Sequence, residues 1–465
     1  MRRNVVLIVL DTVRKDFFHE YASRLLKRSD CIFQQCRAAS SWSTPSHASM
    51  LTGELLHQHG VHANQQNFND VDVSDTFLGE LDEFSRICVA YHNLLQPKYS
   101  FDKYFDVHRT TPTRQIRNNL GTDEGYKKYL NFAFESFKQS DSYLIYKGLQ
   151  DGVWSTFDSQ LSMLPYLERP DIDTGETSHI IKKEVEKTQE PFFLFTNYLE
   201  AHSPIQVNRY LDPELYSASE FWDEGSYEVW EMQDNPELDE DYTTNYRELY
   251  GASIEYLDRK LSRLIDHIQS TTERETTVLV TADHGHNLGY PNEDHLFSHG
   301  CSMSEGVLHI PLIMINPPTG FPNEVTEHFS HLDLGELIVR LSHGDSHIDD
   351  IVGGTIASEH EGFGSPQSKF EKFPGTQEEW EYWNRSIRVI YEDETKFEWD
   401  TAGGEKKYHI TSDNPCRQEL IETNITIPDT ADEFFDIDMA EYKKKIDSMK
   451  ISADVKEDLA DLGYL

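Results

Sequence analysis

Basic side chains are scarce in this chain: 42 Lys and Arg stand against 82 Asp and Glu, a formal net charge of −40 over 465 residues. A surface this negative repels phosphate backbones and anionic lipid headgroups, which argues against nucleic acid and membrane surfaces as partners. Cysteine is scarcer still, with five residues (Cys31, Cys36, Cys88, Cys301 and Cys416), irregular in spacing and odd in number. That excludes a disulfide framework or a zinc knuckle as the organising device and favours a reducing interior. Long apolar runs are missing too. The longest early one, Val5 to Leu10, falls far short of the roughly 20 residues that span a membrane. No apolar leader precedes Asn4, so a soluble cytoplasmic protein is expected.

What is present is a chain long enough to bury a large core and a smaller second one. The acids are dispersed among apolar segments rather than gathered in a tail, so disorder is the weaker explanation of the charge. An acidic, solvated surface of this kind looks like that of proteins from salt-loving archaea, the expected source.

Strand and helix patterns alternate over roughly the first 345 residues. Val5–Leu10 is continuously apolar, as a parallel strand covered on both faces would be. Further strands are expected at Ile87–Tyr91, Phe192–Tyr198, Thr277–Thr281 and Leu312–Ile315, with a helix around Ser178–Lys187. Leu249, Ala252, Leu257, Leu261, Leu264 and Ile268 mark a long amphipathic helix. The pattern predicts an α/β fold, a mostly parallel central sheet flanked by helices. Residues 1–345 are assigned to it, with 110–170 as a helical insertion above the strand ends. A linker or loop is expected at 346–378. Ser386–Tyr391, Thr395–Trp399 and Lys407–Thr411 then predict a small antiparallel sheet within a C-terminal α+β subdomain, 379–465.

Two strands end on acids: Asp11 after Val5–Leu10, and Asp283, followed by His284, after Thr277–Thr281. Carboxylate oxygen with imidazole nitrogen on rigid elements is a ligand set for a divalent cation. Between them, Ser43-Thr44-Pro45-Ser46-His47 through Leu51-Thr52-Gly53 places a hydroxyl at a helix start, with Thr44 as N-cap, Pro45 as first helical residue and Gly53 at the end. A serine hydroxyl is a weak nucleophile and needs a metal ion or base beside it.

Together these segments resemble the sulfatase family of the alkaline-phosphatase superfamily. The resemblance lies in Asn4–Asp16 (NVVLIVLDTVRKD), in Ser43–Gly53, in Glu200-Ala201-His202-Ser203-Pro204, in Thr281–Gly289 (TADHGHNLG) and His295–Gly300 (HLFSHG), and in the ending Leu462-Gly463-Tyr464-Leu465. It implies a metal-dependent hydrolase of sulfate or phosphate esters, with Ser43 as nucleophile and Asp11, Asp283, His284 and Ser43 around one divalent ion. His202 and His299 would contact the ester and protonate the leaving oxygen. His47 stands where the signature that matures this position to formylglycine has Arg, which puts that modification in question and leaves His47 to hold an anionic oxygen. Thr12 and His284 replace oxygen ligands frequent in calcium-bound members, shifting the preferred ion from Ca²⁺ toward Mn²⁺, Zn²⁺ or Mg²⁺. His286 and His295 are weaker candidates for a second metal site, and Arg14 for a structural salt bridge. Substrates on this reading are small-molecule, glycan or lipid-head-group esters. Two competing functions use the same residues: transfer of the phospho- or sulfo-group to a sugar or lipid head group, and non-catalytic binding of anionic glycans.

Overall fold

A computed structural model describes residues 2–111, 173–189, 191–233, 235, 238–363 and 366–448. Nearly all of the expected 110–170 insertion and the closing Leu462–Leu465 lie outside the described residues.

The apolar runs become the strands of one eight-stranded sheet. They are β1 (Asn4–Leu10), β2 (Cys31–Arg37), β3 (Ser85–Ala90), β4 (Val107–Arg109), β5 (Phe192–Tyr198), β6 (Thr276–Ala282), β7 (Leu312–Ile315) and β8 (Glu324–Ser330). Their spatial order is β8-β2-β7-β6-β1-β5-β3-β4. Pairing is parallel except for β7, which runs antiparallel to both β2 and β6. The mostly parallel sheet expected from the sequence is present. Strands β1, β5 and β6 are buried along their whole length, which requires cover on both faces.

Helices supply that cover. The long amphipathic helix, Glu240–Thr271, starts on an Asp239 side chain that accepts from the Tyr242 N–H, and it buries all six of the apolar positions named above. It packs with Lys15–Tyr21 and Asp173–Lys187. A second group forms where Leu334–His343 packs on Ser43–Thr52.

Strands β2 and β8 were not legible. CIFQQCR and EVTEHFS carry too many polar residues for an apolar run, and β8 lies at the sheet edge, with one face left to solvent. The short β4 has the same difficulty at the opposite edge.

The stretch 346–378, expected to be loop, needs a correction. It contains strand β9 (Ile356–His360) and the helix Pro366–Lys372. IASEH looks like surface, yet every residue of it is buried. Its polar groups are matched one by one: Ser358 Oγ donates to Ala38 O at 2.7 Å, Arg388 Nε to Glu359 at 2.9 Å, and Ser41 Oγ meets His360 Nδ1 at 2.8 Å. Such partners cost no unpaired polar burial, and only tertiary structure supplies them. Strand β9 opens the five-stranded antiparallel sheet continued by β10 (Ile387–Glu392), β11 (Thr395–Asp400), β12 (Glu405–His409) and β13 (Glu419–Thr423). Ion pairing seats this sheet on the larger one: Arg37 lies 2.8 Å from Glu305, which also accepts from the Tyr391 hydroxyl at 2.6 Å.

Candidate active site

Because the long strands run parallel, their C-terminal ends open on one edge of the sheet, where clefts of α/β sheets form. Asp11 follows β1, His92 follows β3, His202 follows β5, and Asp283-His284 follow β6. All are buried. The turn after β1 is a strained one: Thr12, β-branched, has φ 60°, a conformation that persists only when its surroundings impose it. Here the Thr12 N–H donates to Asp283 Oδ1 at 3.2 Å, and its carbonyl accepts from the Tyr250 hydroxyl at 2.6 Å. The strain thus ties the ends of β1 and β6 together.

Ser43 arrives from the loop after β2. Its helix, Ser43–Thr52, has Trp42 as N-cap and ends on Gly53 at φ 72°. The start lies two residues earlier than the sequence suggests, so Thr44 is inside the helix rather than its cap. Pro45 is consequently the third helical residue, where its missing N–H still breaks no intrahelical bond. Ser43 Oγ lies 3.4 Å from Asp11 Oδ2 and 3.2 Å from His284 Nε2. Ligand atoms of Asp11, Asp283 and His284 fall within 4.8 Å of one another.

Three of the imidazoles have their tautomers set by backbone carbonyls, which can only accept. His284 Nδ1–H donates to Gly285 O at 2.9 Å, which turns the Nε2 lone pair toward Ser43 and, at 3.5 Å, Asp283 Oδ2. His202 Nδ1–H donates to Ser203 O at 2.6 Å, and its Nε2 is 4.0 Å from Asp11 Oδ1. His47 Nδ1–H donates to Ser43 O at 2.6 Å and lies 4.0 Å from Asp283 Oδ2. His299 stacks near this group, its ring centre 4.3 Å from that of His284 and 5.5 Å from that of His202.

The electrostatics of the site are those of uncompensated negative charge. Burial, and then the neighbouring Asp283 charge, hold the Asp11 carboxyl well above the usual carboxylate range. Asp11 Oδ1 and Asp283 Oδ2 are buried with no hydrogen-bond partner, and among the described residues neither acid pairs with Lys or Arg. Two unpaired buried carboxylates cost several kcal/mol each unless a cation joins them. Two carboxylates, an imidazole lone pair and a hydroxyl therefore fit a divalent cation. Burial likewise pushes His202 down to about 4 and lowers His47.

Other expectations fall elsewhere. His286 Nε2 bonds the Tyr246 hydroxyl at 2.8 Å and its Nδ1 is 3.4 Å from His299 Nδ1, so it backs His299 rather than joining a second metal cluster. His295 is exposed and outside the site. Arg14 is structural, as expected: it reaches Asp16 at 2.7 Å and Glu293 at 2.6 Å and donates to His286 O at 3.0 Å. The sequence gave no weight to His92. Its Nδ1 accepts the Leu94 N–H at 3.1 Å, leaving Nε2–H facing Asp11 Oδ2 at 3.5 Å. A histidine one residue past a strand end was the available signal.

Comparison with known proteins fits this geometry. The family model described as Sulfatase matches residues 3–344; the chain belongs to the sulfatase family. It is 27% identical over 158 residues to the uncharacterized sulfatase YidJ of Escherichia coli (strain K12), a match covering 32% of this chain and 31% of that protein. Among solved structures it is similar to the phosphonate monoester hydrolase of Agrobacterium radiobacter, with TM-score 0.58, 14% identity, and 88% and 89% of the two chains covered. BT4656, solved in complex with its substrate D-glucosamine-2-N,6-O-disulfate, gives TM-score 0.54 at 14% identity, covering 99% of this chain and 98% of that one. At such identities the likeness is one of fold.

Proposed function

We propose that this chain is a metal-dependent hydrolase of sulfate or phosphate esters in which Ser43 is the attacking group. The observation that carries the proposal is the position of Ser43 Oγ, at a helix N-terminus and beside two buried, uncompensated carboxylates, 3.4 Å from Asp11 and 3.2 Å from His284. A divalent cation held by Asp11, Asp283, His284 and Ser43 would lower the pKa of the serine and withdraw charge from the ester oxygens.

The chain's own groups supply the rest. Asp11 Oδ2 and His284 Nε2 are the two acceptors within reach of the Ser43 proton. The unpaired N–H groups and dipole of the Ser43–Thr52 helix favour the negative charge of the ester. As the bond from Ser43 Oγ to phosphorus or sulfur forms, the bond to the alcohol oxygen breaks, and His202 or His299 stands ready to protonate that oxygen. Water then cleaves the seryl ester and regenerates Ser43. His47 occupies the Arg position of the formylglycine signature and is committed to the Ser43 carbonyl and Asp283, which favours an unmodified serine and phosphoester chemistry.

Turnover of 4-nitrophenyl phosphate and sulfate with Mn²⁺, Mg²⁺, Zn²⁺ or Ca²⁺ tests this. Ser43→Ala should lose at least about 10³-fold in kcat; undiminished turnover by that variant would refute the mechanism. Intact mass of the peptide carrying residue 43 separates serine from aldehyde.

A further inference from the structure

We propose that the cleft beside Ser43 seats the alcohol half of the ester and selects a neutral hydroxylated ring, of sugar type, over alcohols bearing additional anionic groups; the inference rests on the hydrolase reading above. The cleft holds about 650 Å³, counting space open to solvent at its mouth. Its wall includes Trp42, which precedes Ser43, and Ser203, which follows His202. Ser298 and Gly300, which flank His299, also line it. An alcohol leaving from an ester on Ser43 therefore departs into this space.

Charge in the cleft decides what it accepts. Among the described lining residues the ionisable acids and bases are Glu224, Glu228 and Lys369, and there is no arginine. Lys369 is spent on Glu228 at 2.6 Å, and Glu228 also draws Lys372 to 3.4 Å. Glu224 has no cation: its Oε2 accepts from the Ile205 N–H at 2.8 Å, and burial raises its carboxyl to about 7. A second sulfate, phosphate or carboxylate on the substrate would meet Glu224 with no base to pair with it. A ring hydroxyl, by contrast, can donate to or accept from that carboxyl. Shape agrees with charge. A Cβ added at Gly300 would lie 3.6 Å from the Phe363 ring and 4.0 Å from the Trp42 ring, so two aromatic surfaces converge where position 300 carries no side chain. The C–H face of a sugar ring packs on such surfaces, while the Ser203, Ser298 and Tyr246 hydroxyls offer polar contacts.

The experiment compares kcat/KM for glucose 6-phosphate and glucose 6-sulfate with the same sugars carrying a second phosphate or sulfate. Binding of free glucose and of glucuronate to the native protein is followed in parallel by saturation-transfer NMR. The singly substituted esters should lead by at least about tenfold, glucose should bind in preference to glucuronate, and Glu224→Lys should compress both ratios. Equal or reversed ratios in the native enzyme, or ratios unmoved in a folded Glu224→Lys protein, overturn the assignment. If no hexose ester turns over, the NMR comparison decides alone: glucose preference weakened by Glu224→Lys supports the cleft, and no glucose binding overturns it. Loss of 4-nitrophenyl ester turnover with glucose binding intact would sink the hydrolase reading and leave this one standing.

Discussion

Individual side chains set the chemistry, and the sharpest case is one the motifs did not reveal. His92 Nε2–H points at Asp11 Oδ2 from 3.5 Å, its tautomer held by the Leu94 amide. It orients a carboxylate proposed as a metal ligand, and removing such a partner typically costs 10–100-fold in metal affinity or activity. His92→Ala should therefore weaken Mn²⁺ binding by about that factor in calorimetric titration while leaving the far-UV CD spectrum unchanged. Glu361 affords a pH prediction away from the site. It is fully buried, accepts the Ala63 N–H at 2.7 Å through Oε1, and leaves Oε2 with no hydrogen-bond partner. Burial raises its carboxyl to about 7 from 4.5. A raised carboxyl binds its proton more tightly in the folded state, so its contribution to stability falls as pH rises from about 4.5 to about 7 and is constant beyond. Glu361→Gln removes that slope, and the variant should gain about 2 kcal/mol over the parent at pH 8 but little at pH 4.5, read from urea unfolding at both.

At the scale of elements, the segment that presents Ser43 is fixed at both ends by backbone geometry. Gly53 closes the helix at φ 72°, and a Cβ there would lie 3.0 Å from the Leu332 carbonyl. Gly53→Ala combines a left-handed conformation with that approach and should cost about 1–2 kcal/mol in chemical denaturation. Insertion of a side chain with no loss of stability would show that the helix end is not held as described. Gly53 was legible from sequence as the helix end, because αL closure favours glycine whatever the surroundings. The helix start was misplaced by two residues, because Pro is tolerated throughout a first turn and so marks the turn rather than the position within it. Strands β1, β5 and β6 were legible for a comparable reason: their sequences are apolar enough to require burial on both faces. Strand β9 was not, since Ser358, Glu359 and His360 are buried only because Ala38, Arg388 and Ser41 arrive from elsewhere to meet them.

For the molecule as a whole, the net charge of −40 is the dominant long-range term. Self-repulsion destabilises the compact state and is screened as the Debye length falls from about 10 Å at 0.1 M salt to about 3 Å at 1 M. The melting temperature should rise by about 5 °C or more between 0.1 M and 1 M KCl, followed by calorimetry. A flat response would remove the case for a salt-adapted source. The sequence by itself determined the sheet's central strands, the acids at their ends and the presence of a hydroxyl at a helix start, because these follow from local periodicity and residue chemistry. Tertiary structure alone decided that β1 and β6 lie side by side, so that Asp11 and Asp283 share one pocket. It also added His92 to that pocket, left His295 outside it, and seated the second sheet on the first through Glu305. Those outcomes depend on strand order and on partners hundreds of residues away, and no local pattern in a chain encodes which buried charge will find which neighbour.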